Sequence, residues 1–246
     1  MNAMILAAGY GKRLAPITDQ MPKALVFLMG SPMIFHLLNK LRASGFTQIV
    51  VNAHHHADML SDYIDHYNRL YQCRVRVARE SRLLDTGGGI KNMLTLFDND
   101  EDVLVHNVDI LSEVDLAGLY REHVQSGATA SLAIMKRNTS RPLLFGPDLK
   151  LCGRKDPHSG NYRLVSRPSG RVTGLAFSGI QVIKPELFLN YIPDRFYSID
   201  VYMKCAARGD TVKGISINGT YWKDLGTMQD IVDAESEYPA PDALLF

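Results

Sequence analysis

The sequence lacks the features that mark several large classes of protein. No uninterrupted apolar run reaches the roughly 18 residues of a membrane span, and no basic residue precedes the short apolar start, Ala3 to Ala8, as it would in a signal peptide. The three cysteines, Cys73, Cys152 and Cys205, match neither a metal-binding spacing nor a disulfide framework. We therefore expect a soluble cytoplasmic protein without a membrane partner.

The sequence also has almost no excess of charge of either sign. Its 27 basic and 26 acidic residues leave a net charge of +1, so the chain as a whole generates no field that would attract nucleic acid. A helical stripe of Tyr63, Tyr67 and Tyr71 indicates packing rather than a base-stacking platform. With 46% apolar and 22% charged residues, the composition is that of a globular protein, which excludes disorder as the main state.

The first half of the chain alternates between strand-like and helix-like patterns. Strands are predicted at Ala3–Ala8, Gln48–Asn52, Val75–Val77 and Val103–His106, and helices at Pro32–Arg42, Met59–Tyr67 and Ile90–Leu96. Strands separated by helices pair in parallel through right-handed crossovers, and such sheets bind ligands beyond the carboxyl ends of their strands.

The second half departs from this pattern. Ala128–Ile134 and Gly174–Ile183 are predicted as strands, and residues 137–171 as an irregular lobe with short strands at Leu149–Cys152 and Tyr162–Val165. Helices are predicted at Pro185–Tyr191, Ile199–Arg208 and Met228–Glu237. The predicted fold is α/β, with a Rossmann-like mixed, mainly parallel sheet, helices on both faces and a small lobe. We expect one domain over 1–246: a nucleotide-binding part (1–135), a lobe (136–227), and a C-terminal helix and tail (228–246).

The most informative segment is the loop from Gly9 to Lys23, which follows the first strand. Gly9 and Gly11 would let backbone N–H groups approach phosphate oxygens, and Arg13 and Lys23 supply cations. Leu14 stands where a dinucleotide-binding fingerprint needs its third glycine, and the Gly-Lys-Ser/Thr ending of a P-loop is absent. The loop therefore indicates a triphosphate site of another type.

This segment, Leu-Ala-Ala-Gly-x-Gly-x-Arg-Leu-x-Pro-x-Thr followed by Pro-Lys-x-Leu, resembles the signature of the sugar-1-phosphate nucleotidyltransferases. Further motifs of that family follow in order across almost the whole chain. They are residues 30–34 at the first helix, 84–89 as a base-contacting loop, 107–109 as a metal motif, 177–180 on the sugar side, and 222–227 as a second metal motif.

The resemblance implies a set of site residues. Arg13, Lys23, Asp109 and Asp224 would be catalytic, with Asp109 and Asp224 holding Mg²⁺. The expected sugar-binding residues are Gly179, Arg167 and Trp222. The expected nucleotide-binding residues are Leu6, Ala7, Ala8, Gly9, Gly11, Lys12, Thr86, Gly87, Gly88 and Asn107. Glu80, just upstream of the base loop, is a further nucleotide-binding candidate that would hydrogen-bond the base, with a surface salt bridge as the equal alternative.

The chemistry of the family fits the residues that are present. A sugar phosphate oxygen attacks the α-phosphorus of a nucleoside triphosphate and expels pyrophosphate. Because the attacking group is already an anion, no general base is needed, and the sequence shows no Ser-His or Cys-His arrangement. Repulsion between two polyanions is the difficulty, which Mg²⁺ on carboxylates and positioned cations would relieve. Arg13 would stabilise the departing phosphates, and Lys23 would contact the α-phosphate or the sugar phosphate.

The substrates are open within the family. The Asp-Thr-Gly-Gly-Gly-Ile form of the base loop most resembles members that use UTP and N-acetylmuramate 1-phosphate, in cell-wall recycling. GTP with mannose or heptose 1-phosphate is the nearest alternative, and a cytidylyltransferase for a phosphoalcohol a more distant one. Val108 replaces a glycine of the metal motif, and Ser166-Arg167-Pro168 stands where many relatives have Glu-Lys-Pro.

Two further hypotheses concern a non-catalytic function and a metal site. A non-catalytic sensor of nucleotide sugars would have lost the cations or the aspartates, all of which are present. His54, His55 and His56 suggest a metal site, but consecutive residues alternate in direction, so a loop is the preferred interpretation. Either a monomer or a homodimer is expected.

Overall fold

A computed structural model describes residues 1–156 and 159–238. Its helices are α1 (Met33–Ala43), α2 (Ala57–Tyr71), α3 (Asp85–Leu94), α4 (Leu116–Ser126), α5 (Glu186–Leu189), α6 (Ser198–Arg208) and α7 (Met228–Glu237). The strands of the nucleotide-binding part are β1 (Asn2–Leu6), β2 (Phe27–Leu28), β3 (Ser31–Pro32), β4 (Gln48–Ala53), β5 (Val75–Arg79), β6 (Val103–Asn107), β7 (Ile110–Ser112) and β8 (Ala130–Met135). Those that follow are β9 (Leu143–Phe145), β10 (Leu151–Lys155), β11 (Tyr162–Leu164), β12 (Thr173–Ile183), β13 (Val212–Ser216) and β14 (Trp222–Asp224).

A ten-stranded mixed sheet forms the centre of the molecule. Eight of its strands follow the order β11-β10-β9-β12-β6-β1-β4-β5, and β8 joins both β12 and β13. Strand β1 pairs in parallel with β4 and β6, and β4 with β5, as the alternating pattern predicts. The lobe strands β9, β10 and β11 pair antiparallel. The predicted Rossmann-like α/β fold is confirmed.

Helices cover both faces of this sheet because its strands alternate in the direction of their side chains. On β1, Ala3 and Ile5 pack in one core cluster with α1, α2 and α4, whereas Met4 packs in another with α3, α5 and α6. None of the described helices has both the length and the apolar character required to cross a bilayer. The central strands are therefore buried on both sides, and their exposed ends are available for ligands.

Several elements differ from the sequence-based prediction. Helix α3 begins at Asp85, five residues before the predicted start, so Gly87, Gly88 and Gly89 lie inside it. Helix α4 was not predicted, although Asp115 caps its start through a hydrogen bond from the Gly118 N–H and Gly127 follows its end in a left-handed conformation. The short strands β7, β9, β13 and β14 were also missed, and the predicted tail beyond residue 238 lies outside the described residues.

Candidate active site

A cavity of about 240 Å³ opens at the carboxyl ends of β1, β4 and β6. Nine of the predicted site residues line it: Leu6, Ala7, Ala8, Gly9, Lys23, Glu80, Thr86, Asn107 and Asp109. Asp85 and Val108, which lie within the predicted motifs, line it as well, and so do Asn52, Leu83 and Tyr197, which were not predicted. The structure thus brings the glycine loop, one catalytic cation and one metal-binding candidate to a single opening, at the edge where such sheets bind ligands.

The glycine loop leaves β1 at Leu6 and needs glycine for two different reasons. Gly11 has a φ of 63°, and a Cβ there would lie 2.8 Å from the Thr18 side chain, so only glycine fits. Apart from Gly9 itself and its two neighbours in the chain, no atom of the described residues lies within 4 Å of the position that a Cβ on Gly9 would take. Gly9 therefore leaves the loop backbone accessible from the cavity side, as phosphate binding requires.

The three consecutive histidines hold this loop against the end of β4. His55 Nε2 donates a hydrogen bond of 2.8 Å to the Thr18 carbonyl, and His56 Nε2 one of 3.2 Å to that of Asp19. His54 Nδ1 donates to the Glu80 carbonyl at 2.9 Å. Each ring is thus bound to a backbone oxygen, and across residues 1–156 and 159–238 no three metal-ligating side chains cluster. The histidines restrain the conformation of the glycine loop.

Asn52 joins the glycine loop to Glu80 on the neighbouring wall of the cavity, and it was not predicted from the sequence. Its Oδ1 accepts hydrogen bonds from the backbone N–H groups of Ala7 and Ala8 at 2.6 and 3.2 Å. Its Nδ2 donates to Glu80 Oε1 at 2.6 Å, and the Leu84 N–H donates to Glu80 Oε2 at 3.0 Å. The available signal was an asparagine near the carboxyl end of an apolar strand, whereas Asn107 was expected from the motif that it shares with the family.

Burial raises the pKa of the Glu80 carboxyl group, and the hydrogen bonds from Leu84 and Asn52 partly oppose that rise. Glu80 is only 6% exposed and still lines the cavity. It is therefore an acceptor held in a fixed orientation, and its position is suited to a donor group on a ligand.

The two predicted metal ligands meet although 114 residues separate them in the chain. Asp109 directly precedes β7, which pairs antiparallel with β14 in a register that places Ile110 opposite Asp224. The Leu225 N–H donates a hydrogen bond of 2.8 Å to the Asp109 carbonyl and closes this ladder. We call β7 and β14, with Asp109 and Leu225, the carboxylate ladder.

Each of the two predicted cationic side chains lies beside one of these carboxylates. Lys23 is buried, and its Nζ lies 2.6 Å from Asp109 Oδ2. Arg13 is exposed, and its Nη2 lies 3.7 Å from Asp224 Oδ1. A Cβ on Gly226 would come within 2.4 Å of the guanidinium nitrogens of Arg13, so this glycine provides the space in which Arg13 lies.

The carboxylate pair has the properties of a site for a hard divalent cation. Burial raises the pKa of Asp224, the charge of Asp109 raises it further, and Lys23 and Arg13 counteract this rise. Asp224 Oδ1 is buried and accepts no hydrogen bond from the described part of the chain. A cation between the carboxylates would satisfy this oxygen, and Mg²⁺ is commonly held by one or two carboxylates together with substrate phosphates.

The predicted base loop packs against another segment of the chain. The Gly87 and Gly88 N–H groups both donate to the Phe196 carbonyl, at 2.8 and 3.3 Å. A Cβ on Gly88 would lie 2.1 Å from the Asp194 carbonyl oxygen. These glycines therefore let the segment 194–197 lie across the start of α3, where Tyr197 reaches the cavity. Thr86 borders the cavity and contacts Ser198 at 3.2 Å.

The remaining predicted residues lie around or away from the cavity. Gly179, with a φ of 83°, lets β12 approach Asn107, and Trp222 Nε1 donates to the neighbouring Ser178 carbonyl at 2.9 Å. The Lys12 ammonium lies 5.7 Å from the ring centre of Tyr10. Arg167 lines a separate cavity of about 220 Å³ beside the carboxyl end of α6, so the structure does not bring it to the glycine loop.

Comparison with known proteins relates this geometry to a family. A model of the nucleotidyl transferase family matches residues 2–240. N-acetylmuramate alpha-1-phosphate uridylyltransferase of Neisseria meningitidis is 30% identical over 96% of this chain and 97% of its own length. Mannose-1-phosphate guanyltransferase of Schizosaccharomyces pombe is 27% identical over 97% of this chain, which spans 64% of that protein. UDP-glucose pyrophosphorylase of Acinetobacter baumanii shares the fold, with a TM-score of 0.76 at 16% identity over 98% of this chain and 94% of the other.

Proposed function

Because the chain belongs to the nucleotidyl transferase family and is a sugar-1-phosphate nucleotidyltransferase, we propose that it joins UTP to N-acetylmuramate 1-phosphate with the help of Mg²⁺. The observation that carries this proposal is the meeting of Lys23, Asp109, Arg13 and Asp224 beside an accessible glycine loop. Cations and metal-binding carboxylates together are what a reaction between two phosphate anions requires.

Each residue has a role that follows from its position. The backbone around Gly9 is open to triphosphate oxygens, and the exposed guanidinium of Arg13 would stabilise the departing pyrophosphate. Lys23 is buried beside Asp109 and lines the cavity, which supports a role for its ammonium at the α-phosphate or the sugar phosphate. Asp109 and Asp224 would hold Mg²⁺, which neutralises phosphate charge when bound.

The choice of UTP rests on the relative that matches almost end to end and on the acceptor at Glu80. The N-acetylmuramate alpha-1-phosphate uridylyltransferase is covered over 97% of its length, whereas the guanyltransferase is covered over 64%. Uracil presents one N–H donor on its pairing edge, and Glu80 presents carboxylate oxygens that already accept one hydrogen bond each.

A guanylyltransferase acting on mannose or heptose 1-phosphate is the second candidate. A carboxylate can accept from both the N1–H and the N2 amino group of guanine, so the buried Glu80 also favours this base. This second proposal makes a distinct prediction: a variant that lacks the Glu80 carboxylate should lose turnover with GTP, not turnover with UTP.

The test is a pyrophosphate-release panel with UTP, GTP, CTP and ATP, each against N-acetylmuramate, mannose and glucose 1-phosphates, with and without Mg²⁺. We expect turnover with UTP and N-acetylmuramate 1-phosphate that disappears on chelation of the metal. Asp109→Ala should abolish turnover while its circular dichroism spectrum is unchanged. A strict GTP preference would replace the uridylyl assignment with the second candidate. Nucleotide-sugar binding without turnover in any combination would point to a sensor.

A further inference from the structure

A small cavity of about 20 Å³ adjoins the carboxylate ladder. Residues of α1, β6 and β7, together with Leu28, Val108 and Leu225, line it, and its polar lining consists of His36, Lys40, His106 and Ser112. We call it the ladder cavity. The rest of its lining is apolar, and His36, His106 and Ser112 are buried, so these three side chains have little solvent to satisfy them.

Three buried atoms of this lining have no hydrogen-bond partner within the described residues: His36 Nδ1, His106 Nε2 and Ser112 Oγ. Such atoms are uncommon in folded proteins, where buried polar groups nearly always pair with protein or with ordered water. A volume of about 20 Å³ holds one water molecule, which needs roughly 10–15 Å³ on this measure.

The donor and acceptor pattern of these atoms is complementary to water. His36 Nε2 donates to the Leu28 carbonyl at 2.8 Å, and His106 Nδ1 to the Asn107 carbonyl at 2.8 Å. In the neutral rings, His36 Nδ1 and His106 Nε2 are therefore both acceptors. Burial lowers the pKa of His106 to about 4, which keeps that ring neutral at physiological pH. Two acceptors match the two O–H donors of a water molecule, and the Ser112 hydroxyl can donate to its oxygen.

Lys40 completes the lining and ties it to the active site. Its Nζ donates a hydrogen bond to the Ser112 carbonyl, the last residue of β7. Lys40 forms no ion pair with any carboxylate in residues 1–156 and 159–238, and burial lowers its pKa to about 8 against the opposing charges of Glu113 and Asp115. An ammonium that is partly removed from water without a paired carboxylate is costly, so a positioning role explains Lys40 better than a contribution to stability does.

We propose that the ladder cavity binds one structural water molecule and that Lys40, with this water, is a positioning device for the metal-binding carboxylates. Lys40 holds one end of β7, and Asp109 directly precedes the other end. Opposite β7, the strand β14 ends at Asp224. Val108, Ile110 and Leu225, the neighbours of the two aspartates, line the cavity themselves. The metal-related part of this inference rests on the proposed function.

The central variant is Lys40→Met, which keeps the length of the stem and removes the donor. Lys213→Met is the matched control, because Lys213 lies on β13 and pairs with Glu122. We expect Lys40→Met to raise the Mg²⁺ concentration for half-maximal turnover about 10-fold, which is the size of effect that follows when a group supporting a metal ligand is removed. Turnover at saturating Mg²⁺ should return to near the wild-type value, and Lys213→Met should match the wild type throughout.

A second readout needs no activity. Hydrogen–deuterium exchange of the Leu225 amide, which donates to the Asp109 carbonyl, should be faster in Lys40→Met than in Lys213→Met. Ser112→Ala removes one partner of the water and keeps the carbonyl that Lys40 binds, so it should change exchange and Mg²⁺ dependence in the same direction by a smaller factor. It also provides the test if Lys40→Met does not fold.

A high-resolution crystal structure tests whether a water molecule occupies the ladder cavity. Density for a water within hydrogen-bond distance of His36 Nδ1 and His106 Nε2 supports the proposal, and a collapsed or unoccupied cavity overturns that part. Unchanged exchange and unchanged Mg²⁺ dependence in Lys40→Met would overturn the positioning role while the activity panel stands. If the panel fails, the exchange and crystallographic results still decide whether Lys40 and the water hold the ladder.

Discussion

Lys23 Nζ lies 2.6 Å from Asp109 Oδ2, so a cation of the chain itself neutralises one of the carboxylates assigned to the metal. The same ammonium is the one expected to contact the reacting phosphates. Binding of Mg²⁺ with its phosphate ligands would therefore weaken the hold of Asp109 on Lys23 and leave its ammonium available to the anions. The pair would thereby link the proposed metal binding to the arrival of substrate, because two cations would compete for one carboxylate.

The first prediction follows from that competition. In Lys23→Met, Asp109 has lost its ammonium, so Mg²⁺ alone should raise the thermal midpoint by about 2–4 °C more than in the wild type, which corresponds to about 1 kcal/mol for a chain of this size. The measurement is a melting curve against Mg²⁺ concentration. Asp109→Ala is the control and should show no such gain. Equal Mg²⁺ shifts in the wild type and Lys23→Met would contradict the competition.

The second prediction concerns Arg13 and Gly226. A methyl group in Gly226→Ala would lie 2.4 Å from the guanidinium of Arg13, which is exposed and can move away at a cost of about 0.5 kcal/mol or less. We expect an almost unchanged thermal midpoint but a loss of turnover comparable with that of Arg13→Ala, on the order of 100-fold.

The matched control is the double variant Arg13→Ala with Gly226→Ala. If Gly226 acts only by giving space to Arg13, the double variant should be no slower than Arg13→Ala alone. Additive losses in this cycle would show that Gly226 has a separate role.

The third prediction concerns the hydrogen bonds of Asn52. In Asn52→Ala, the Ala7 and Ala8 N–H groups and the carboxylate of Glu80 lose their partner, which should lower the free energy of unfolding by about 2–4 kcal/mol. Because these groups line the cavity, the KM for the nucleoside triphosphate should also rise, by about 10-fold or more.

Asn68 provides the control for this change. It exchanges hydrogen bonds of 2.8 and 2.9 Å with the backbone of Val75, at the opposite end of the strands. Asn68→Ala should therefore lose stability and keep the wild-type KM. A similar KM in both variants would mean that Asn52 holds the fold only.

The fourth prediction is a loss of stability on acidification. Burial lowers the pKa of both His106 and His123 from 6.5 to about 4. Between these values the unfolded chain binds more protons, so the stabilisation is complete above pH 6.5 and is lost as the pH falls towards 4. Each ring should account for about 2 kcal/mol at pH 5.

Urea unfolding at pH 7 and pH 5 tests this prediction. His123→Gln should lose about 2 kcal/mol less than the wild type between the two values, whereas His66→Gln, at an exposed position of α2, should lose the same amount as the wild type. An undiminished pH dependence in His123→Gln would show that its protonation is not part of the acid sensitivity.

The parts of the site that were predictable from the sequence are those that lie close together in the chain. Gly9, Gly11, Arg13 and Lys23 belong to one loop after one strand, and their spacing alone indicates phosphate binding. Asp109 follows an apolar strand, as aspartates that begin turns often do, so its expected role as a metal ligand came from the family motif. Resemblance added Asp224, since nothing local distinguishes it from an exposed loop charge.

The missed features depend on contacts between distant segments. Asn52 and His55 act on a loop that lies more than thirty residues earlier, and no pattern within β4 encodes that contact. The strands β7 and β14 have three residues each, too few for a period of two to be visible. Helix α3 begins early because contacts with Phe196 outweigh the low helix propensity of three glycines.

The contact of Gly87 and Gly88 with residues 194–196 restricts which substitutions can be made in the proposed base loop. Transplanting the base loop from a relative with another nucleotide preference would bring side chains against a backbone shaped for glycine. The two segments form one module, although more than a hundred residues of chain separate them. Exchanging residues 84–89 together with residues 194–197 is the smallest graft that keeps this interface intact.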